Sequence, residues 1–451
     1  MVGYNFRPVE RDQQFLMPPS IRDWLPGDEL AWFVLDAVAE LDTGALYARH
    51  RTDGWGAAAF EPAMMAALLL YAYATGERSS RRIEARCRHD IAYRVITANQ
   101  FPDHATIARF RAAQADALAG LFSGVLRLCA RAGLGRLGLV ALDGTRIAAA
   151  TEGPGRTAPE LDAEIAAILA EAAAVDAAED AEHGPDRRGD ELPPALASRE
   201  SRLARLREAR RQIAQEDAAA AAAEARRSAG RAAREAGTGK RTGGRKPGSG
   251  RPRTREARRN PTDPDSRPMR TMRGWLQGYN AQAAVAEDGV IVAADLDARN
   301  HDYGQLVPMA EKIRGNAAAA GLGGITPGHL LADGGYWNEA NVAAVEAVGD
   351  LVLLVPPWQP RGRPVRGPEP PGRAAMTARL AEPDNRARYA RRAVTVEPVF
   401  GQIKEARGFR RFSRRGLAAC RDEWLLVCLT HNLRKLWRRS TGAPRTALPV
   451  I

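Results

Sequence analysis

The chain has 451 residues, 45% of them apolar, and a formal net charge of +12. That length allows two or three domains with a sizeable core, and the apolar content excludes a wholly disordered protein. The cationic excess points to a polyanionic partner, nucleic acid ahead of an anionic membrane surface, and no apolar run is long enough to predict a membrane span.

Residues 1–12 lack the apolar centre of a signal peptide. The scattered Cys87, Cys129, Cys420 and Cys428 form neither paired metal-ligand spacing nor a disulfide framework, so a reducing cytoplasm is expected. Residues 1–135 read as all helical. Ala57–Gly76 is a dense Ala/Leu/Met/Tyr run; Ser79, with Glu84 a few residues on, looks like a helix start, and Thr106 is the expected cap of a further helix. Arg81, Arg82, Arg86, Arg88, Arg109 and Arg111 cluster rather than alternate with acids, which suits a DNA-contacting face; the plainer alternative is a solvated face of a helical bundle. Gly133–Gly138 has the glycine spacing of a dinucleotide-binding loop, but it follows a helix and precedes a strand. It is therefore read as a helix end and turn.

Residues 137–143 form an apolar strand closed by Asp143-Gly144, which predicts a glycine turn. Composition then changes. Residues 151–191 hold 12 acidic and 3 basic residues, whereas 240–259 hold 9 basic and 1 acidic. Leu161, Ile165, Ile168, Leu169 and Val175 mark one helix, and Leu203, Leu206 and Ile213 a second, around a break at 183–196. The expectation is an antiparallel helical hairpin and a basic linker, together an insertion at 151–259 that supports self-association, arches over bound nucleic acid or has no role. A lone strand cannot satisfy its backbone, so 137–143 must pair with strands after 276, making the sheet domain discontinuous (136–150 and 260–440), ahead of a tail at 441–451.

Further strands are predicted at Leu276–Val285, Val290–Asp295, His329–Ala332 and Leu351–Val355, and helices at Asp302–Ile313, Glu339–Val348, Asn385–Ala406 and Arg421–Trp437; 356–372 reads as loop. Asp302, after a strand, is explained better as a helix cap than as a catalytic group. Asp333 stands in Ala-Asp-Gly-Gly-Tyr at another strand end, with Trp337 suited to core packing ahead of base stacking. Glu397 sits on a helix with Tyr389, Arg391, Arg392 and Lys404; Glu397 and Lys404, seven residues apart, fall about two turns apart on one face. Taken singly, Asp-Gly builds turns and a helix glutamate is a surface residue. Together, three carboxylates are the parts that hold a pair of divalent cations around a phosphodiester.

These segments resemble the DDE transposases of bacterial insertion sequences, in the branch of the insertion-sequence 1182 family. The resemblance rests on Phe60-Glu61-Pro62, Ser79–Glu84, Phe101–Arg111, Leu142–Thr145, Asp263–Ser266, Gly278–Gln282, Ala332–Tyr336, Val396–Lys404 and His431–Leu436, in that order. It implies an α/β fold: a ribonuclease H-like mixed sheet with flanking helices, beside the all-α N-terminal domain and the inserted hairpin. It further implies that Asp143, Asp333 and Glu397 converge as catalytic and metal-binding groups for two Mg2+ (or Mn2+) ions. Lys404, Arg392, Arg391, Tyr389, Arg81, Arg82, Arg109, Arg111, Arg410 and Arg411 are the expected DNA-binding residues. The family pattern places its arginine four before the glutamate; here Ala393 stands there, with Arg392 five before. The implied partners are DNA (element ends with inverted repeats, and target) and a second copy in a homodimer, in a nucleoid-associated cytoplasmic setting without a membrane. A catalytically inactive DNA-binding derivative and a stand-alone nuclease remain the alternatives.

Overall fold

Helices precede the sheet, as their composition predicts. The computed structural model describes residues 21–50, 59–151, 153–183, 194–239, 257–271, 274–322, 328–357 and 370–442. Residues 1–20, most of the basic linker, the middle of the 356–372 loop and most of the tail lie outside them. The first elements are α1 (Leu30–Glu40), α2 (Gly44–Tyr47), α3 (Pro62–Ala74), α4 (Ser80–His89), α5 (Ile91–Ile96), α6 (His104–Ala113) and α7 (Ala115–Arg131). Their starts are set by side-chain caps. Ser79 accepts from Arg82 N and Asp90 from Ala92 N; Asp103, not Thr106, caps α6, with Thr106 supplying the N–H. The dense apolar run became α3, buried from Met65 to Ala74 along its whole circumference, as a central core helix should be. Gly133 and Gly135 take φ of +74° and +78° between α7 and the sheet, so this glycine cluster is a turn.

The sheet contains β1 (Leu139–Ala148), β2 (Arg267–Thr271), β3 (Gly274–Ala286), β4 (Ile291–Asp297), β5 (Gly328–Leu331) and β6 (Leu351–Leu354), in the order β2-β3-β1-β5-β6, with β4 also on β3. β1 is antiparallel to β3 and parallel to β5, which is parallel to β6. The mixed α/β class is as expected, and β1 does find its partners beyond the insertion. One expectation fails: Asp143-Gly144 is not a turn. β1 runs on to Ala148, with Asp143 opposite Ala283 and Gly144 opposite Gln282. β2 was not foreseen because Arg-Pro-Met-Arg-Thr buries only Met269; a proline-bearing edge strand carries little apolar signal.

Helices α8 (Ala158–His183) and α9 (Pro194–Thr238) leave the sheet between β1 and β2. Leu161, Leu206, Ala209 and Ile213 form a small separate core between them. The pairs Arg210–Asp162 and Arg202–Glu164 advance in opposite directions, so the hairpin is antiparallel. Its two flanks meet: Arg156 and Arg259 exchange backbone hydrogen bonds of 2.7 and 2.9 Å. Gln212 reaches from α9 to Asp265 on the sheet side (2.8 Å).

The remaining helices are α10 (Leu306–Ala320), α11 (Glu339–Glu346), α12 (Pro371–Ala381), α13 (Pro383–Gly401) and α14 (Leu417–Thr441). The proline-rich tract had masked α12. α13 continues through Pro398, and one π-helical turn, Gln402–Ala406, follows. α14 ties the halves together: Trp424 Nε1 donates to Gln282 O, Asn432 bridges Ile291 N and O, and Arg434 donates to Ala74 O on α3. One apolar core accordingly runs from Leu30 on α1 to Leu436 on α14.

Candidate active site

Two parallel strands bring the first two carboxylates together. β1 and β5 pair with Ala141 opposite Leu331, so two residues further on Asp143 and Asp333 emerge side by side. Alternation puts Leu139 on the Asp143 face and Leu331 on the Asp333 face. Both leucines pack with Leu354, Leu380 and Tyr389, which fixes that face as the one covered by α12 and α13. Asp333 Oδ1 accepts from Gly335 N (2.8 Å), capping a short 3-10 turn, Gly334–Tyr336.

α13 reaches over this edge. Arg392 Nη1 donates to Asp143 Oδ2 (3.0 Å), while Asp143 Oδ1 accepts from Gly144 N (2.8 Å). Burial outweighs the pull of Arg392, and with Asp333 adding repulsion the Asp143 carboxyl is held above the usual carboxylate range. Burial of Arg392 works the other way, but Asp143, Tyr389 and Asp333 overcome it and raise the guanidinium further. Burial lifts the Tyr389 phenol too, with Asp333 and Asp143 adding to it and Arg392 opposing. Asp143, Asp333, Tyr389 and Arg392 therefore sense one another.

The other predicted residues are placed differently. Arg391, next to Arg392, pairs with Glu287 instead. Glu397 is exposed on α13, just before Pro398. Lys404 lies in the π turn; burial lowers its pKa, as do Arg410 and Arg146, with Glu405 opposing. Arg410 pairs with Glu405, and Arg411 bonds weakly to Thr151 O (3.4 Å). Arg81, Arg82 and Arg109 are exposed, with Arg82 near Glu77 (3.1 Å). Arg111 is held internally, donating to Tyr73 Oη, Arg78 O and Ser80 Oγ. Trp337 packs, partly buried, against the main core.

Behind the two aspartates lies a polar cluster whose residues the sequence offered only as a helix cap and as parts of motifs. Asp302 is buried and does not cap α10; the N-cap is Gln305. Asp302 Oδ1 accepts from Asn280 Nδ2 (2.6 Å) and Gln282 Nε2 (2.8 Å), and the buried Tyr336 hydroxyl donates to Gln282 Oε1. Burial raises the Tyr336 phenol, and Asp302, Asp143 and Asp333 all push the same way. The available signal was Asn280 and Gln282, two amides alternating on one face of an otherwise apolar strand.

The donor set fits a hard divalent cation in kind: adjacent oxygen ligands, one of them desolvated and strained by its neighbour. Among the described residues, however, no three Asp, Glu, His or Cys groups lie close enough to hold an ion. Comparison with protein families matches residues 370–437 to the model described as Transposase DDE domain, and residues 19–113 to that described as Transposase domain (DUF772). Comparison with curated proteins and with solved structures gives no match. The first match covers α12, α13 and nearly all of α14, hence Tyr389, Arg392, Glu397 and Lys404; the second covers the helices before α7.

Proposed function

The chain is a DDE-type insertion-sequence transposase, a metal-dependent enzyme that cuts and transfers DNA strands, and we propose that Asp143, Asp333 and Glu397 are its acidic triad. The observation that carries this reading is the parallel pairing of β1 with β5, which sets Asp143 beside Asp333 under α13. The strand order and directions agree with a ribonuclease H-like sheet interrupted by the α8–α9 hairpin. The motif order favours the insertion-sequence 1182 branch.

Asp143 and Asp333 would hold Mg2+ or Mn2+, two ions in all, with Glu397 completing the set when DNA is bound. When bound, such a pair polarises the attacking oxygen and neutralises the leaving one. Arg392 neutralises Asp143 while no cation does so, and can turn to a DNA phosphate once one does. Tyr389 borders the same edge and orients Arg392. Lys404, with Arg410 and Arg411, offers a cationic track beyond Glu397, and the exposed Arg81, Arg82 and Arg109 a second one on the N-terminal helices. A homodimer would hold two element ends at once.

In an assay with an element end and a target duplex, Asp143→Asn, Asp333→Asn and Glu397→Gln should each lose cleavage by at least about a thousandfold while DNA binding persists. Near wild-type cutting by any one of them would remove that residue from the triad. Cutting by the wild type without strand joining would favour a stand-alone nuclease.

A further inference from the structure

Both aspartates are followed by glycines, and the glycines face one carboxylate. A Cβ built on Gly144 would lie 2.7 Å from Asp302 Oδ1, 2.5 Å from Gln282 Nε2 and 2.7 Å from Asn280 Oδ1. One built on Gly335 would lie 3.6 Å from Asp302 Oδ2 and 2.9 Å from Asp333 Oδ1. Gly144 needs no left-handed backbone, since its φ is not positive. What it supplies is space, and Asp302 with its two amides fills that space.

Asp302 is over-determined for a loop residue. Two amides fix Oδ1, and Arg146 Nη2, itself bonded to Asn300 O (2.6 Å), stands 3.4 Å from Oδ2. Asn280 adds an independent sign. It is fully buried, yet its Oδ1 has no hydrogen-bond partner among the described residues, and it stands in the same cluster beside Gly144. A buried acceptor left unsatisfied is costly unless something else meets it, such as an ordered water.

We propose that Asp302 is a positioning residue of the catalytic centre, a fourth acidic group that sets the Asp333 turn from behind and raises the centre's affinity for its divalent cation. Asp302 touches neither substrate nor the reacting atoms. It acts through the Gly334–Tyr336 turn and through its charge, as outer groups do around metal ligands. This rests on the reading that Asp143 and Asp333 are the inner ligands.

The test is a calorimetric Mn2+ titration of the full-length protein without DNA, paired with thermal melts. Asp302→Asn keeps the shape and an acceptor oxygen but removes the charge; it should weaken Mn2+ binding about 10–100-fold with an unchanged melting temperature. Binding within twofold of wild type, in a folded variant, would overturn the proposal. Should Asp302→Asn fail to fold, Asn280→Ala, which keeps the charge but frees Oδ1, takes its place: weakened Mn2+ binding supports the proposal and unchanged binding overturns it. Asp333→Asn run in parallel separates the two readings. If it binds Mn2+ as the wild type does, the inner-ligand assignment itself fails; if it alone loses binding, only the role of Asp302 fails.

Discussion

At the scale of single residues, the site stores its reactivity as an uncomfortable charge. Asp143 is half-buried beside Asp333 and is compensated by one arginine. Because its folded pKa is raised, ionising it costs stability once the pH exceeds the usual carboxylate range, and that cost disappears as acid protonates it in both states. Asp143→Asn should therefore melt at the same or a higher temperature than wild type at pH 7 in chelator, with the difference vanishing below about pH 4. A variant that melts several degrees lower at pH 7 would show that the Arg392 pair, not burial, dominates. Gly144 illustrates what spacing cannot reveal. Asp-Gly in a sequence predicts a turn because turns are the commonest need for glycine, whereas this glycine makes room for the Asp302 carboxylate in mid-strand. Asp302 was misread for a related reason: an acidic residue shortly before a helix resembles a cap until its side chain is seen turned toward Asn280 and Gln282.

At the scale of elements, periodicity located nearly every segment with a strong apolar pattern, among them α3, β3, β4, β5, β6 and α14. It missed β2, where arginine and proline leave little apolar signal, and α12, an alanine-rich helix that begins inside the Pro/Gly/Arg-rich tract. Edge strands and surface helices draw on partners elsewhere in the fold, and a local pattern does not record those partners. The hairpin was legible because its two helices carry their own core, Leu161 against Leu206, Ala209 and Ile213. That self-sufficiency makes it removable. Replacing residues 158–256 with a short flexible linker, so that the Arg156–Arg259 contact is retained, should leave a folded sheet. The expected loss is about 1–3 kcal/mol, from the buried Arg259 deprived of Glu216 and from the Gln212–Asp265 bond. Chemical denaturation of the shortened protein measures it; collapse of the sheet would mean that the hairpin belongs to the catalytic core.

At the scale of the whole molecule, the N-terminal helices are built into the catalytic half. Glu423 on α14 accepts from Ser413 and Arg414 backbone N–H groups and from the Tyr73 hydroxyl of α3, and Tyr73 in turn accepts from Arg111 of α6. Near this seam His431 is fully buried, its Nε2 donating to Gly289 O, and burial pushes its pKa down to about 3, with Arg407 adding to the effect. A depressed histidine favours the neutral form, so its contribution is present at neutral pH. It fades as the pH falls from about 6.5, where the unfolded chain takes up the proton, towards about 3. Denaturant melts should show stability declining across that window, and His431→Gln should flatten the decline. An unchanged slope would place the acid sensitivity elsewhere.

The distance in sequence between β1 and β3 also governs how the enzyme is born. On a ribosome adding about 5–20 residues per second, β1 emerges on the order of ten seconds before β3 can pair with it. In that interval β1 is an orphaned apolar edge beside a half-finished core, the kind of segment that chaperones bind and that aggregates when they do not. The two helices of the hairpin form far faster than the ribosome elongates. Their antiparallel closure keeps the insertion compact beside β1, where Arg156 and Arg259 meet. The insertion thus lengthens the interval during which each new copy of the enzyme is vulnerable, while the meeting of its flanks at Arg156 and Arg259 shortens the search that β1 must then make.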